Sequence, residues 1–180
     1  MKKALLFGAS GFVGSFILRA LLDNPEYERV TAVMRKKPEI DHPKLNVVLG
    51  DLQTLPSLKS EMECDDVFIA IGTTKKKTPN EKTYYVIDHD YPVLAASLAK
   101  EMGASSVFLV SAIGADAKSG LFYVRTKGVT EHDVIALGFV HTHIFRPSII
   151  MGDRPESRPM EKIFILACAI INPLLMGPLR

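Results

Sequence analysis

The 180-residue sequence predicts a doubly wound, mostly parallel α/β sheet with a small C-terminal lobe. Three observations carry that expectation. Short apolar runs alternate with helically spaced apolar patterns from end to end. The runs are nearly continuous in Val, Ile, Leu and Phe, the habit of parallel strands covered on both faces. A three-glycine turn, "FGASGFVG" (Phe7 to Gly14), stands between the first run and the first helical pattern.

"KALLFGA" reads as the first strand and "VGSFILRALLD" as the first helix. "RVTAVMR" and "NVVLG" give the second and third strands, "LPSLKSEM" a short helix, and "DVFIAIG" the fourth strand. "DYPVLAASLAKEMG" reads as a helix with Asp90 before its first turn and Gly103 as its stop. "SSVFLVSA" is the fifth strand, "LFYVRTKGVTEHDVIALG" a helix ending at Gly138, and "THIFRP" a sixth strand stopped by Pro147. Residues 1–180 are expected to form one nucleotide-binding domain, with 148–180 part of a small substrate-side lobe. That lobe is expected to be small or incomplete.

A net charge of +2 advertises no nucleic-acid partner. Cys64 and Cys168 match no metal or redox spacing and read as reduced structural thiols. The apolar stretch Ile163 to Leu175 is broken by Asn172 and Pro173 and is shorter than the roughly 20 residues a spanning helix needs. It is expected to dock as a core helix, without stable membrane insertion. "MKKALLF" lacks the unbroken apolar stretch of a signal peptide, and a cytoplasmic location is expected. His141 and His143 share a strand face and are given a structural role; no metal site is expected.

In its strand–turn–helix setting the glycine turn predicts a dinucleotide site. Gly8 and Gly11 permit the sharp bend and the close approach of a pyrophosphate, and Gly14 lets helix and strand pack. The helix N-terminus, with Ser10, Phe12 and Val13 around it, faces the phosphates. A carboxylate that binds ribose hydroxyls usually ends the second strand, but here "VMRKK" supplies Arg35, Lys36 and Lys37. A guanidinium grips a 2′-phosphate where a carboxylate would repel it, so NADP(H) is expected over NAD(H). "GDL" after the third strand offers Asp51, beside Leu52, to the adenine amino group; Gly72, Thr73 and Thr74 lie along the cofactor's path.

Downstream, Ser111 ends the fifth strand, and Tyr123 and Lys127 stand four apart on one helix face. With the glycine turn, this set resembles the short-chain dehydrogenase/reductase superfamily, which has a Rossmann fold and a Ser…Tyr-x-x-x-Lys signature. "GASGFVG", the basic pair, "GTT", the Tyr/Lys pair and "FRPSIIMGDRPESRP" are more closely similar to its atypical, Tat-interacting-protein-like NAD(P)-binding oxidoreductases. The resemblance implies Tyr123 as acid/base and Ser111 as the residue that orients the substrate oxygen. Lys127 would tune Tyr123 and hold the nicotinamide ribose, and Arg146, Pro147, Ser148 and Ile149 would border the nicotinamide. A structural account of Arg146, paired with a carboxylate, fits equally well. The superfamily's asparagine after the fourth strand is not matched in "YYVIDHDYP", where Asp88 and His89 are expected to approach the active site from the helix, with no assigned task.

The sequence thus predicts an NADP(H)-dependent oxidoreductase acting on a small carbonyl or alcohol. Two alternatives stand beside it: a regulatory NADP(H)-binding protein with a protein partner, and a nucleotide-sugar epimerase or dehydratase.

Overall fold

The structure is a computed structural model and describes residues 1–148. Six parallel strands are β1 (Lys2–Phe7), β2 (Tyr27–Met34), β3 (Leu45–Leu49), β4 (Asp66–Ile69), β5 (Ser106–Val110) and β6 (His141–Phe145). They lie in the order β3-β2-β1-β4-β5-β6. The chain winds outward from β1 in one direction, then returns to place β4 on β1's other side. The carboxyl ends of β1 and β4 therefore flank the crevice where such sheets bind ligands.

Alternation along each strand builds two cores. Leu5, Phe7, Val67, Ile69, Val107 and Leu109 pack with Ala95, Ala96, Ala99 and Val134 from α3 (Tyr91–Glu101) and α4 (Phe122–Ala136). Ala4, Leu6, Val30 and Ala32 face Leu18, Leu21 and Leu22 of α1 (Phe12–Asp23) on the other side. The short helix expected at "LPSLKSEM" is a 3-10 helix over Leu55–Glu61.

One helix begins well before its expected start. Its N-cap is Asn80, whose side chain accepts from Thr83 N–H at 3.0 Å. From there α2 (Glu81–Tyr85) passes through a π-helical turn (Val86–Asp90) into α3, so Asp90 lies inside the helix at φ −62°, ψ −42°. Asp90 is thus no start, and Pro92 accounts for the widened turn. It brings no N–H and would clash with the carbonyl four residues back. The widened turn absorbs it, and the Asp88 carbonyl accepts from Thr130 Oγ1 at 2.9 Å instead.

His143 stacks on Phe108 at 4.6 Å, and Phe108 on Phe68 at 4.5 Å, a ring ladder across β6, β5 and β4. Cys64 is buried, and burial pushes its thiol up to about 12. Among the described residues no helix is long and apolar enough to cross a membrane, and no group of three His, Cys, Asp or Glu is arranged to hold a metal. The expected C-terminal lobe, Ile163 to Leu175 and Cys168 lie outside the described residues.

Candidate active site

The turn after β1 is as tight as three glycines allow. Gly8 sits at φ +86°, and a Cβ there would lie 2.5 Å from the Ala70 carbonyl oxygen after β4. A Cβ on Gly14 would lie 1.9 Å from the Gly8 carbonyl oxygen. Packing therefore demands Gly8 and Gly14 with or without a ligand. Gly11 is different: its Cβ would meet the Gly8 oxygen alone, at 3.2 Å. It is also the N-cap of α1, with no side-chain cap and no acid in the first turn. Its own N–H donates to the Gly8 carbonyl at 2.9 Å. An uncapped N-terminus opening at an exposed glycine, with Ser10 exposed beside it, fits a pyrophosphate.

On the side of β1 away from β4, Arg35 and Lys36 are exposed after β2. Asp51 is held below the usual carboxylate range chiefly by hydrogen bonds from Thr54, with smaller help from Gln53 and Arg35. Its Oδ1 accepts the N–H groups of Gln53 and Thr54, both at 3.0 Å, so Asp51 fastens the turn that leads into the 3-10 helix. Leu52 is half-buried next to it.

The loop after β4 is tied to the π-helical turn by Asp88. Asp88 Oδ2 accepts Thr73 N–H at 2.8 Å, and Oδ1 meets Lys127 Nζ at 2.8 Å. Both charged side chains are buried, at 1% and 9% exposure. A Cβ on Gly72 would lie 3.4 Å from Asp88 Oδ1 and 3.6 Å from Lys127 Nζ, so the ion pair sits directly against Gly72. Thr73 Oγ1 shares a 2.9 Å hydrogen bond with Thr78, and Thr74 Oγ1 accepts Lys77 N–H. His89 turns elsewhere: its ring nitrogens meet Asp90 and Asp133, each at 2.8 Å, and latch the helix to α4.

Tyr123, Lys127 and Glu131 follow one face of α4 at successive turns. Gly128 draws that helix close, since a Cβ there would lie 2.1 Å from Ala117 N in the loop after β5. Tyr123 is half-exposed and rests edge-on against buried Tyr84 at 6.3 Å. Ser111 Oγ donates to Glu131 Oε1 at 2.5 Å. Arg146 Nε donates to both Glu131 oxygens, at 3.0 and 3.2 Å, and Nη2 to Oε2 at 2.5 Å. Arg146 is thus paired with a carboxylate, while its own side chain stays half-exposed rather than buried. Pro147 accepts Ile113 N–H at 3.0 Å, Ser148 is exposed, and Ile149 lies outside the described residues. The sequence reading missed Glu131, which one more four-residue step from Lys127 would have reached.

A family model described as NAD(P)H-binding matches residues 8–144. The chain belongs to the NAD(P)H-binding family. The chain is also similar to "Protein fmp52, mitochondrial" of Emericella nidulans, 36% identical over 170 residues, 91% of this chain and 73% of the relative. "Protein FMP52, mitochondrial" of Meyerozyma guilliermondii is 35% identical over 181 residues, 98% and 78% of the two chains. These names overturn the cytoplasmic expectation, which rested on the lack of an apolar leader pattern in the first residues. Among solved structures, Bordetella bronchiseptica WbmH in complex with NAD+ gives a TM-score of 0.72 at 17% identity, covering 94% of this chain and 64% of that one. UDP-glucose 4-epimerase from Thermotoga maritima, with UDP-glucose, gives 0.71 at 14%, covering 86% and 58%. This NAD(P)H-binding chain spans less than two thirds of either. The likeness shows the fold, which is the Rossmann-type α/β fold expected from the superfamily resemblance.

Proposed function

We propose that this protein is an NADP(H)-dependent oxidoreductase acting on a small carbonyl or alcohol. The observation that carries the proposal is the buried Lys127 cation held against Gly72, one turn along the same helix face from half-exposed Tyr123. A cation beside a phenol favours its ionised form and eases proton exchange at neutral pH.

The bound dinucleotide would supply or accept the hydride at the substrate carbon. Gly11 and the first turn of α1 would receive the pyrophosphate, and Gly72, Thr73 and Thr74 would line its path. Leu52 and Asp51 would border the adenine, with Arg35 and Lys36 at the 2′-phosphate. Lys127 would keep Asp88 as its counter-ion and direct its remaining N–H groups to the ribose. In carbonyl reduction Tyr123 would give its proton to the oxygen as charge develops there, and it would take one back in alcohol oxidation.

Fluorescence titration tests the cofactor assignment: NADPH binds more tightly than NADH, and Arg35→Glu removes the gap. Equal affinities in the wild type refute it. Tyr123→Phe abolishes turnover while leaving NADPH affinity nearly intact. NADPH binding with no turnover across a broad carbonyl panel would move the protein to a cofactor-sensing role with a protein partner. The mitochondrial setting of the relatives is proposed for this chain as well, and subcellular fractionation checks it.

A further inference from the structure

Ser111 carries one proton and two lone pairs. The proton is already committed. Ser111 Oγ lies 2.5 Å from Glu131 Oε1, and that carboxylate is buried and gripped by Arg146 through three contacts of 2.5 to 3.2 Å. A carboxylate facing a guanidinium accepts hydrogen bonds and donates none. The proton between Ser111 and Glu131 therefore belongs to the serine, and only lone pairs remain for a ligand.

A carbonyl oxygen is likewise an acceptor, so it gains nothing from Ser111 in this state. A hydroxyl on the ligand does. We propose that Glu131 and Arg146 hold Ser111 as a hydrogen-bond acceptor, so that the site selects substrates that carry a hydroxyl near the reacting carbonyl. Tyr123 then serves the carbonyl oxygen and Ser111 the hydroxyl. This rests on the oxidoreductase reading above. Glu131 is a positioning residue here, acting through Ser111.

Glu131→Gln reverses the polarity at nearly constant shape. Arg146 retains the amide oxygen, the amide NH2 turns to Ser111, and the serine proton is released toward the ligand. The probes are 2-hydroxycyclohexanone and 2-fluorocyclohexanone, closely similar in shape, one able to donate and one not. Saturation-transfer NMR on the NADPH-loaded protein should show the hydroxyketone binding about tenfold or more tightly in the wild type. Glu131→Gln should lose or invert that preference. Equal affinities in the wild type overturn the proposal, and that comparison needs no variant to fold.

A second readout needs no ligand. In the cofactor-free protein the Ser111 hydroxyl proton should exchange slowly and give a resonance that disappears in Ser111→Ala and broadens in Glu131→Gln. Exchange as fast in the wild type as in Glu131→Gln overturns the acceptor assignment. If NADPH fails to bind, the oxidoreductase reading falls and the substrate class with it, while the hydroxyl proton still decides the state of Ser111.

Discussion

Asp88→Ala removes a carboxylate that lies 2.8 Å from Lys127 Nζ and 2.8 Å from Thr73 N–H, where Asp88 is 1% and Lys127 9% exposed. Removing one partner of a buried pair costs about 3–5 kcal/mol, because the remaining charge is left uncompensated. The Thr73 N–H, if left without an acceptor, adds about 1–3 kcal/mol. The two losses share one side chain and do not sum, and the residual exposure of Lys127 lets water relieve part of the first. The expected destabilisation is about 3–4 kcal/mol, a large fraction of a typical domain's stability. Urea unfolding at pH 7, followed by circular dichroism, measures it. Asp88→Asn retains an acceptor for Thr73 and should fall between alanine and wild type. Asp88→Leu with Lys127→Met removes both charges and should recover much of the loss, as apolar replacement of buried pairs often does. An alanine variant within about 1 kcal/mol of wild type would refute the view of Asp88 as the counter-ion that seats Lys127.

Gly14→Ala and Gly11→Ala should separate folding from binding. The first forces a Cβ to 1.9 Å from a backbone oxygen and should cost about 3 kcal/mol or more of stability. The second has one contact at 3.2 Å, so it should melt near wild type yet bind NADPH more weakly; unchanged affinity would remove the pyrophosphate from Gly11. Alkali should unfold the protein through Cys64, raised from 9.0 to about 12 by burial. The unfolded thiol ionises first, so this stability is complete below pH 9 and falls by at most about 1.4 kcal/mol per pH unit between 9 and 12. Tyr27, raised chiefly by burial and then by its bond to Asp66, adds to the fall above pH 10. Denaturant titrations from pH 8 to 11 should show a shallower slope in Cys64→Ala. Arg146→Ala leaves the buried Glu131 carboxylate with Ser111 as its remaining partner among the described residues and should lower the midpoint in the same urea assay.

The sheet was legible because parallel strands buried on both faces advertise themselves as apolar runs, and each of the six lies where its run stands. The glycine turn was legible for a partly different reason than its appearance suggested. Gly8 and Gly14 are demanded by the fold itself, which leaves Gly11 as the position that speaks for a ligand. Tyr123 and Lys127 could be placed on one face because helical spacing is local. The pairings of Lys127 with Asp88 and of Ser111 with Glu131 could not, since each joins two different elements of the fold. Glu131 did carry a signal in its spacing from Lys127. Asp88 was expected near the site without a task, because nothing in the sequence pairs it with Lys127 or with the Thr73 N–H.

The π-helical turn works as a phase corrector. In a regular α-helix, residues spaced by four drift about 40° around the axis at every step. Widening one turn cancels much of that drift, so Tyr84, Asp88 and Pro92 fall nearly into a single row, and all three are buried. Tyr84 meets the Tyr123 ring, Asp88 meets Lys127, and Pro92 leads into the alanines against the sheet. Losing a single residue between 86 and 90 would restore an ordinary helix and rotate one half of it against the other. Either the tyrosine would leave the site or the alanines would leave the core.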